Sequence, residues 1–577
     1  MCAANLKLKT VRPSGDRYLH IFHRKSINNG HITEDVKVTK GPQEGDFSIV
    51  SIENRPWIAA GVVSVSNPKE IHILLERDLS RRLNNDTNYN IDTYESYATT
   101  VQNLTNLGVL MENSERAERL RKLIIDRECP QFDIKLPREV GRLGTKLMRS
   151  LNIQQQRAVL KALAANDYAL LQGLPGTGKT QTISVLIQML VSLKLRVLVT
   201  AHTHSAVDTV LTRIPETIRV MRLGSSSRVA AALSKRTELM LTAECETPEQ
   251  LAHLYASMEV VGVTCLGAAH AMLARTTFDV CIVDEATQVL QCTVLRPLFA
   301  AKRFVLVGDP EQLPPVVRSR AASDMLQKRL GMEESLFHRL MCEEATSTLQ
   351  LQYRMNQSVA DIANHVAYNG KLKCADQKIA EAKLDIDIQK ISHLTLKSPW
   401  LATACSPESE HAVLFIDVDT ISDVTDVSNN KNSCANSTEA CVVMALVEAL
   451  KQGNVKSSDI GIIAPYRDQV SLLRRSLSQH GVEVSTVDQF QGRDKCVIIY
   501  SCTKRAAAND HKVKEGEVLN DPRRLAVSVT RAKHKLIIIG NSTALQRYTP
   551  LQTLITTCNS VILDKNIVAN LCAKYKV

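Results

Sequence analysis

Eight consecutive residues, Gly173, Leu174, Pro175, Gly176, Thr177, Gly178, Lys179 and Thr180, carry the spacing G-x-x-x-x-G-K-[ST]. Glycines in such a turn let backbone N–H groups face phosphate oxygens. The lysine neutralises the outer phosphates, and the hydroxyl after it can ligate Mg²⁺. The context suits that chemistry, because the apolar run Tyr168 to Leu171 precedes the loop as a strand and a helical run begins at Lys179. A site that hydrolyses nucleotide also needs an acidic element at a strand end. Asp284 and Glu285 follow the apolar run Val280 to Val283. Asp284 is expected to share the Mg²⁺ with Thr180, and Glu285 to orient and deprotonate an attacking water. A third buried run, Phe304 to Val307, ends in Gly308, Asp309 and Gln312. Gln312 is placed to hydrogen-bond the terminal phosphate or the water.

A phosphate loop and an acidic pair also occur in kinases, GTPases and transporters. The second half of the chain narrows the choice. Arg354, within Gln352 to Met355, and Arg531, within Arg523 to Lys533, lie in otherwise apolar surroundings. An arginine delivered from a neighbouring domain stabilises charge on a transferring phosphoryl group and is worth about 10³ to 10⁵ in rate. A single arginine more often makes only a surface ion pair, but the apolar flanks argue against that here.

The elements that must hold these groups are legible as alternation. From Leu151 onward, apolar runs at Tyr168–Leu171, Arg196–Thr200, Val280–Val283, Phe304–Val307, Val413–Ile416, Gly461–Ile463, Val497–Tyr500 and Lys535–Ile539 alternate with amphipathic helical stretches. That is the pattern of parallel sheets covered on both faces, and a break near 340–350 divides the strands into two sheets. Upstream, Trp57–Val65 and Glu70–Leu75 among turn signals predict a small barrel or sandwich, followed by a polar Asn84–Asn90 stretch. The helical Ser114–Arg127 region reads as a spacer or arm. The expected domains are therefore 1–85, 86–150, 151–345 and 346–577. The polar segment Thr420–Thr438 reads as a surface loop.

Composition sets the limits. The chain has 577 residues, 44% hydrophobic and 23% charged, enough for several domains, and its formal charge of +11 weakly favours an anionic partner. The first ten residues have no apolar signal region, and no run reaches the roughly 18 apolar residues of a membrane span, so a soluble intracellular protein without a membrane partner is expected. Fifteen cysteines include no C-x-x-C pair, which favours buried reduced thiols over a disulfide frame or a metal cluster.

In order along the chain, Gly173–Thr180, Asp284–Gln288, Gly308–Pro315, Gln352–Met355, Val484–Gly492 and Arg523–Lys533 together resemble helicase superfamily 1, in its 5′-to-3′ branch. The resemblance covers about residues 151 to 550. Within the branch the chain is most similar to the eukaryotic replication helicase/nuclease family, through Thr203–Asp208, Arg303–Asp309, Glu334–Phe337, Asp459–Arg467, Gln491–Lys495 and Thr530–Leu536. Upstream, Leu74–Leu79, Leu120–Asp126 and Pro130–Phe132 extend it. The resemblance implies two RecA-like ATPase domains behind a β-barrel and a helical arm, with ATP and Mg²⁺ as ligands. It also implies that Gln155 contacts adenine, that Tyr353 packs on the base, and that Gly492 lines the phosphates with Lys179, Thr180, Asp284, Glu285, Gln312, Arg354 and Arg531. Thr203, His204, Thr264, Cys265, Pro465, Tyr466, Thr486 and Asp488 fall in segments that track the nucleic-acid strand. A metal site at His202 and His204 is disfavoured, since no carboxylate or cysteine lies close in sequence.

The implied function is a 5′-to-3′ single-stranded-DNA translocase or helicase of the nucleus, with a mitochondrial setting as the alternative, working beside replication and repair factors such as a single-strand-binding protein. Two departures bear on it. Ala526 and Ser528 replace the Asn and Ala of the branch's usual R-R-L-N-V-A, which removes a side-chain contact. Only Cys2 and Cys129 precede the ATPase region, too few for the family's four-thiolate iron–sulfur cluster, so neither the cluster nor the nuclease is expected in this chain. The motor motifs read no 2′-hydroxyl, so an RNA helicase of the same branch, or a nucleotide-gated strand clamp, remains as an alternative reading.

Overall fold

Along each parallel strand, successive apolar side chains enter two different cores. In Tyr168–Gly173, Tyr168 and Leu170 pack on one face while Ala169 and Leu171 pack on the other. A strand buried on both faces must be apolar at every position, because its side chains alternate with period two. The computed structural model describes residues 2–14, 17–24, 42, 46–53, 55–66, 70–81, 87–94, 98–317, 331, 333–418, 435–504 and 517–577. Most of the Thr420–Thr438 segment, and residues 84–86 of the Asn-rich stretch, lie outside them. The chain forms two compact units, Met1–Val101 and Gln102–Val577.

The first unit is a closed antiparallel barrel of β1 (Cys2–Ser14), β2 (Arg17–Arg24), β3 (Phe47–Ile52), β4 (Arg55–Ser66), β5 (Glu70–Leu75) and β6 (Tyr89–Thr93), in the order β1-β2-β5-β4-β3-β6. β5 buries Ile71, Ile73 and Leu75 at alternate positions. The polar stretch expected up to Asn90 ends inside β6, whose Tyr89 and Ile91 face the barrel core, and β6 pairs with β1 to close the ring.

The second unit holds two parallel sheets. The first contains β7 (Tyr168–Gly173), β8 (Val197–Ala201), β9 (Val220–Arg222), β10 (Val260–Thr264), β11 (Phe278–Asp284), β12 (Ala301–Gly308) and β13 (Thr346–Leu349), ordered β13-β7-β12-β11-β8-β10-β9. β13 pairs with β7, so the chain leaves the first sheet only after Leu349. A two-stranded pair, β14 (Leu351–Gln352) and β15 (Lys373–Cys374), follows. The second large sheet contains β16 (Val413–Asp417), β17 (Ile460–Ala464), β18 (Glu483–Thr486), β19 (Lys495–Ser501), β20 (Ala532–Gly540) and β21 (Asn559–Ile562), ordered β18-β17-β19-β20-β16-β21.

The region read as an arm is packed. In the helix Glu115–Ile124, Ala117, Leu120, Leu123 and Ile124 form one buried stripe, and the last three join the core of the first sheet. Arg116 donates to the carbonyls of Leu298 and Lys302, and Arg119 pairs with Asp167 at 2.8 Å, so apolar and polar contacts hold the same helix.

Candidate active site

Strand order brings the chemistry together. β7, β12 and β11 are neighbours, so the phosphate loop, the Asp309 turn and the Asp284–Glu285 pair leave adjacent strand ends at one carboxyl edge, where open α/β sheets bind ligands. In the loop, Gly176 and Gly178 have φ of +74° and +79°, a region that side chains disfavour. A Cβ on Gly178 would stand 2.6 Å from Gln155 Nε2. Gly178 begins the helix Lys179–Ser192 without a side-chain cap, which leaves that helix's first N–H groups facing the loop. Lys179 Nζ donates to the Gly173 carbonyl at 2.7 Å, curling back over the turn.

Gln155 lies against this loop. Its Nε2 donates to the Thr177 carbonyl at 2.9 Å, while its Oε1 accepts from the Asn152 N–H and closes a capping box on the helix Ile153–Ala164. The Tyr353 ring is 46% exposed, and its hydroxyl accepts from Asn152 Nδ2 at 2.9 Å. Gln155 and Tyr353 are thus brought to the same rim of the loop.

Asp284 is buried beside Glu285. Burial first, then the Glu285 charge, pushes the Asp284 carboxyl up to about 7, with Lys179 opposing. A divalent cation would relieve both effects, and Mg²⁺ commonly takes only one or two protein ligands besides phosphate and water oxygens. Thr180 and Asp284 fit that small donor set. Glu285 has φ +50°, an uncommon conformation for a side-chain-bearing residue, and its Oε2 accepts from Gln288 Nε2 at 3.0 Å.

The second lobe supplies the cations. The Tyr353 N–H donates to the Gly176 carbonyl at 2.9 Å, which sets Arg354 directly against the loop. Arg354 Nε pairs with Asp494 at 3.0 Å, and an Nη donates to the Thr530 carbonyl at 3.0 Å. Arg531 is buried, held by the Val527 carbonyl at 2.9 Å. Burial and the nearby Arg354 push it down to about 10. Two crowded guanidinium groups, both within the field of Glu285, suit an anion between the lobes. Gly492, at φ +80°, is exposed with open space around it.

Sequence reading missed Asp494 as an anchor. It takes both Arg354 and Lys533, each at 3.0 Å. Burial pushes its carboxyl up, but these cations outweigh that and hold it below the ordinary range. Its place in Gln491–Lys495, between the two arginine segments, was the available signal.

The strand-tracking candidates also sit at carboxyl ends of strands. Thr203 caps the helix His204–Leu211, its hydroxyl accepting from the Ala206 N–H. His204 Nδ1 lies 3.0 Å from an Nη of Arg222. Arginine can only donate, so the imidazole proton sits on Nε2. Thr264 ends β10, Pro465 and Tyr466 follow β17, and Thr486 ends β18. Asp488 is exposed and pairs with Arg524 at 3.2 Å. Cys265 is 1% exposed, accepts from the Thr200 hydroxyl, and burial pushes its thiol up to about 12. Its side chain belongs to the core of the first sheet.

A phosphate loop on one parallel sheet, with two arginines, Arg354 half-buried and Arg531 buried, on the second lobe, defines the class: a two-lobed nucleotide-cleft protein. Two family models, each described as an AAA domain, match residues 332–543 and residues 150–254 with 234–320. The chain is 38% identical over 98% of its length to the DNA replication ATP-dependent helicase/nuclease DNA2 of Mus musculus, and 39% identical over 98% to that of Homo sapiens. It belongs to this helicase/nuclease family, and it spans 53% of the length of each of those two relatives. The crystal structure of Arterivirus nonstructural protein 10 (helicase) overlaps 87% of this chain and 73% of its own, at 12% identity and a TM-score of 0.35, too loose a fit to add anything further.

Proposed function

We propose that this chain is an ATP-hydrolysing motor that moves 5′-to-3′ along single-stranded DNA and separates DNA strands. The observation that carries the reading is the cleft itself: the half-buried Arg354 and the buried Arg531 lie on the second lobe, and the Tyr353 N–H beside Arg354 is directly hydrogen-bonded to the phosphate loop. Mg²⁺-bound ATP supplies the phosphoanhydride and the charge that draws the lobes together. Lys179 and the loop N–H groups hold its phosphates. Thr180 and Asp284 would hold the metal, Glu285 takes a proton from the attacking water, and Gln312 registers the terminal phosphate. Arg354 and Arg531 leave their carbonyl and Asp494 partners as the cleft tightens. Closure and reopening then alternate the grip of Thr203, His204, Pro465, Tyr466 and Thr486 on the strand, largely through its phosphates and stacked bases.

The relatives named as DNA replication helicase/nucleases support DNA over RNA, and a nuclear setting beside replication and repair factors is part of the same proposal. Among the described residues no helix is long and apolar enough to cross a membrane. Lys179→Ala tests the reading. ATP turnover is expected to fall at least about 100-fold while single-strand binding is kept, because the lysine acts on developing phosphate charge and not on the strand. Unchanged turnover would contradict it.

A further inference from the structure

The turn after β12 holds a carboxylate that both lobes share. Asp309 is 1% exposed. Its Oδ2 accepts from Gln312 Nε2 at 2.8 Å and from the Tyr368 hydroxyl at 3.0 Å, and its Oδ1 accepts from the Glu311 N–H at 3.2 Å. Asp309 and Gln312 belong to the first lobe. Tyr368 comes from the second, as the last residue of a π-helical turn, Asn364–Tyr368, that continues the helix Gln357–Ala363. Such turns insert an extra residue into a helix and occur frequently at functional sites. The Tyr368 ring is 1% exposed in the core of the second lobe, with Met355, Val359, Leu372 and Phe415, so its hydroxyl has a fixed place. The Gln312 amide carries two N–H groups: one donates to Asp309, and the side chain also interacts with the Tyr368 hydroxyl itself, so Asp309, Gln312 and Tyr368 form one closed cluster.

We propose that Tyr368 is a positioning residue: through Asp309 it sets the orientation of Gln312, so that one carboxylate oxygen ties the phosphate-sensing side chain to the second lobe. The inference rests on the proposed ATPase. When the second lobe shifts, the Tyr368 hydroxyl moves relative to Asp309, and the Gln312 amide loses the partner geometry that aims it. Conversely, a phosphate engaging Gln312 pulls on the bond to the second lobe. A buried hydroxyl needs an acceptor in any fold, so the test must separate this coupling from plain stabilisation.

The experiment measures strand-stimulated ATP turnover, affinity for a non-hydrolysable ATP analogue, and thermal unfolding in wild type, Tyr368→Phe, Gln312→Ala and the double variant. Tyr368→Phe is expected to lower kcat about tenfold with analogue affinity and KM within about twofold, and to cost nothing further in the Gln312→Ala background, because both changes break one chain of contacts. The near-isosteric Asp309→Asn is the second variant and is expected to lose rate in the same way. Turnover like wild type in Tyr368→Phe overturns the inference. So do losses that multiply in full with Gln312→Ala, or a rate loss matched by weaker analogue binding and a lower melting temperature. A wild-type protein that turns over no ATP would instead remove the proposed function, and this inference with it.

Discussion

Arg222 shows how much of this molecule's chemistry depends on buried polar side chains. Its guanidinium is fully buried, pairs with Asp208 at 2.6 Å, donates to the Leu223 carbonyl, and reaches His204 Nδ1. Asp208 in turn accepts from the Ala230 N–H. One cation thus holds the helix His204–Leu211 and fixes the tautomer of a strand-tracking candidate. Breaking a buried pair costs more than the pair contributes, because the remaining charge keeps its desolvation penalty. Arg222→Met is therefore expected to destabilise the protein by about 3 to 5 kcal/mol, as read by urea unfolding. A loss below about 1 kcal/mol would mean that the pair behaves as an exposed surface bridge. Arg222 stood in no sequence pattern, since its partners lie 14 and 18 residues away and meet only when β9 docks beside β10.

At the scale of elements, the helix Glu115–Ile124 is the clearest case of packing overriding a polar composition. Its surface is charged, yet Leu120 and Leu123 are at most 1% exposed within the core of the first sheet. Leu120→Ala is expected to cost about 2 to 5 kcal/mol, and because the helix shares that core its loss should appear in the unfolding of the first lobe. Separate early melting of the helix, with the lobe unchanged, would contradict this. All eight apolar runs read from the sequence are strands, because burial on both faces writes a continuous apolar signal. Five strands of the two large sheets, β9, β10, β13, β18 and β21, were missed, and some of them carry weaker signals. β13 and β18 lie at sheet edges and contain the polar stretches Thr-Ser-Thr and Glu-Val-Ser-Thr. β10 is wholly buried but carries Gly262, where a Cβ would stand 2.4 Å from Leu211 Cδ1, so the close approach of a helix demands the residue that weakens the strand signal. The phosphate loop and acidic pair were legible because backbone geometry and metal chemistry constrain local sequence. The Asp309–Tyr368 contact was not, because it joins residues 59 apart across two lobes.

For the whole molecule, the two lobes are joined at the phosphate loop by the Tyr353–Gly176 backbone bond and at Asp309 by Tyr368, and their apolar contact extends to Leu174 and Leu313, which pack in the second lobe's core. Lobe movement therefore cannot leave the nucleotide groups undisturbed, which is the physical requirement for turning hydrolysis into motion. The strand contacts proposed on both lobes would give the same movement a track. The most direct measurement is ATP hydrolysis by the purified chain alone, with single-stranded DNA, and with single-stranded RNA of equal length. Stimulation chiefly by DNA is the predicted result. Equal rates with and without either strand would contradict a motor, and stimulation by RNA alone would move the substrate from DNA to RNA.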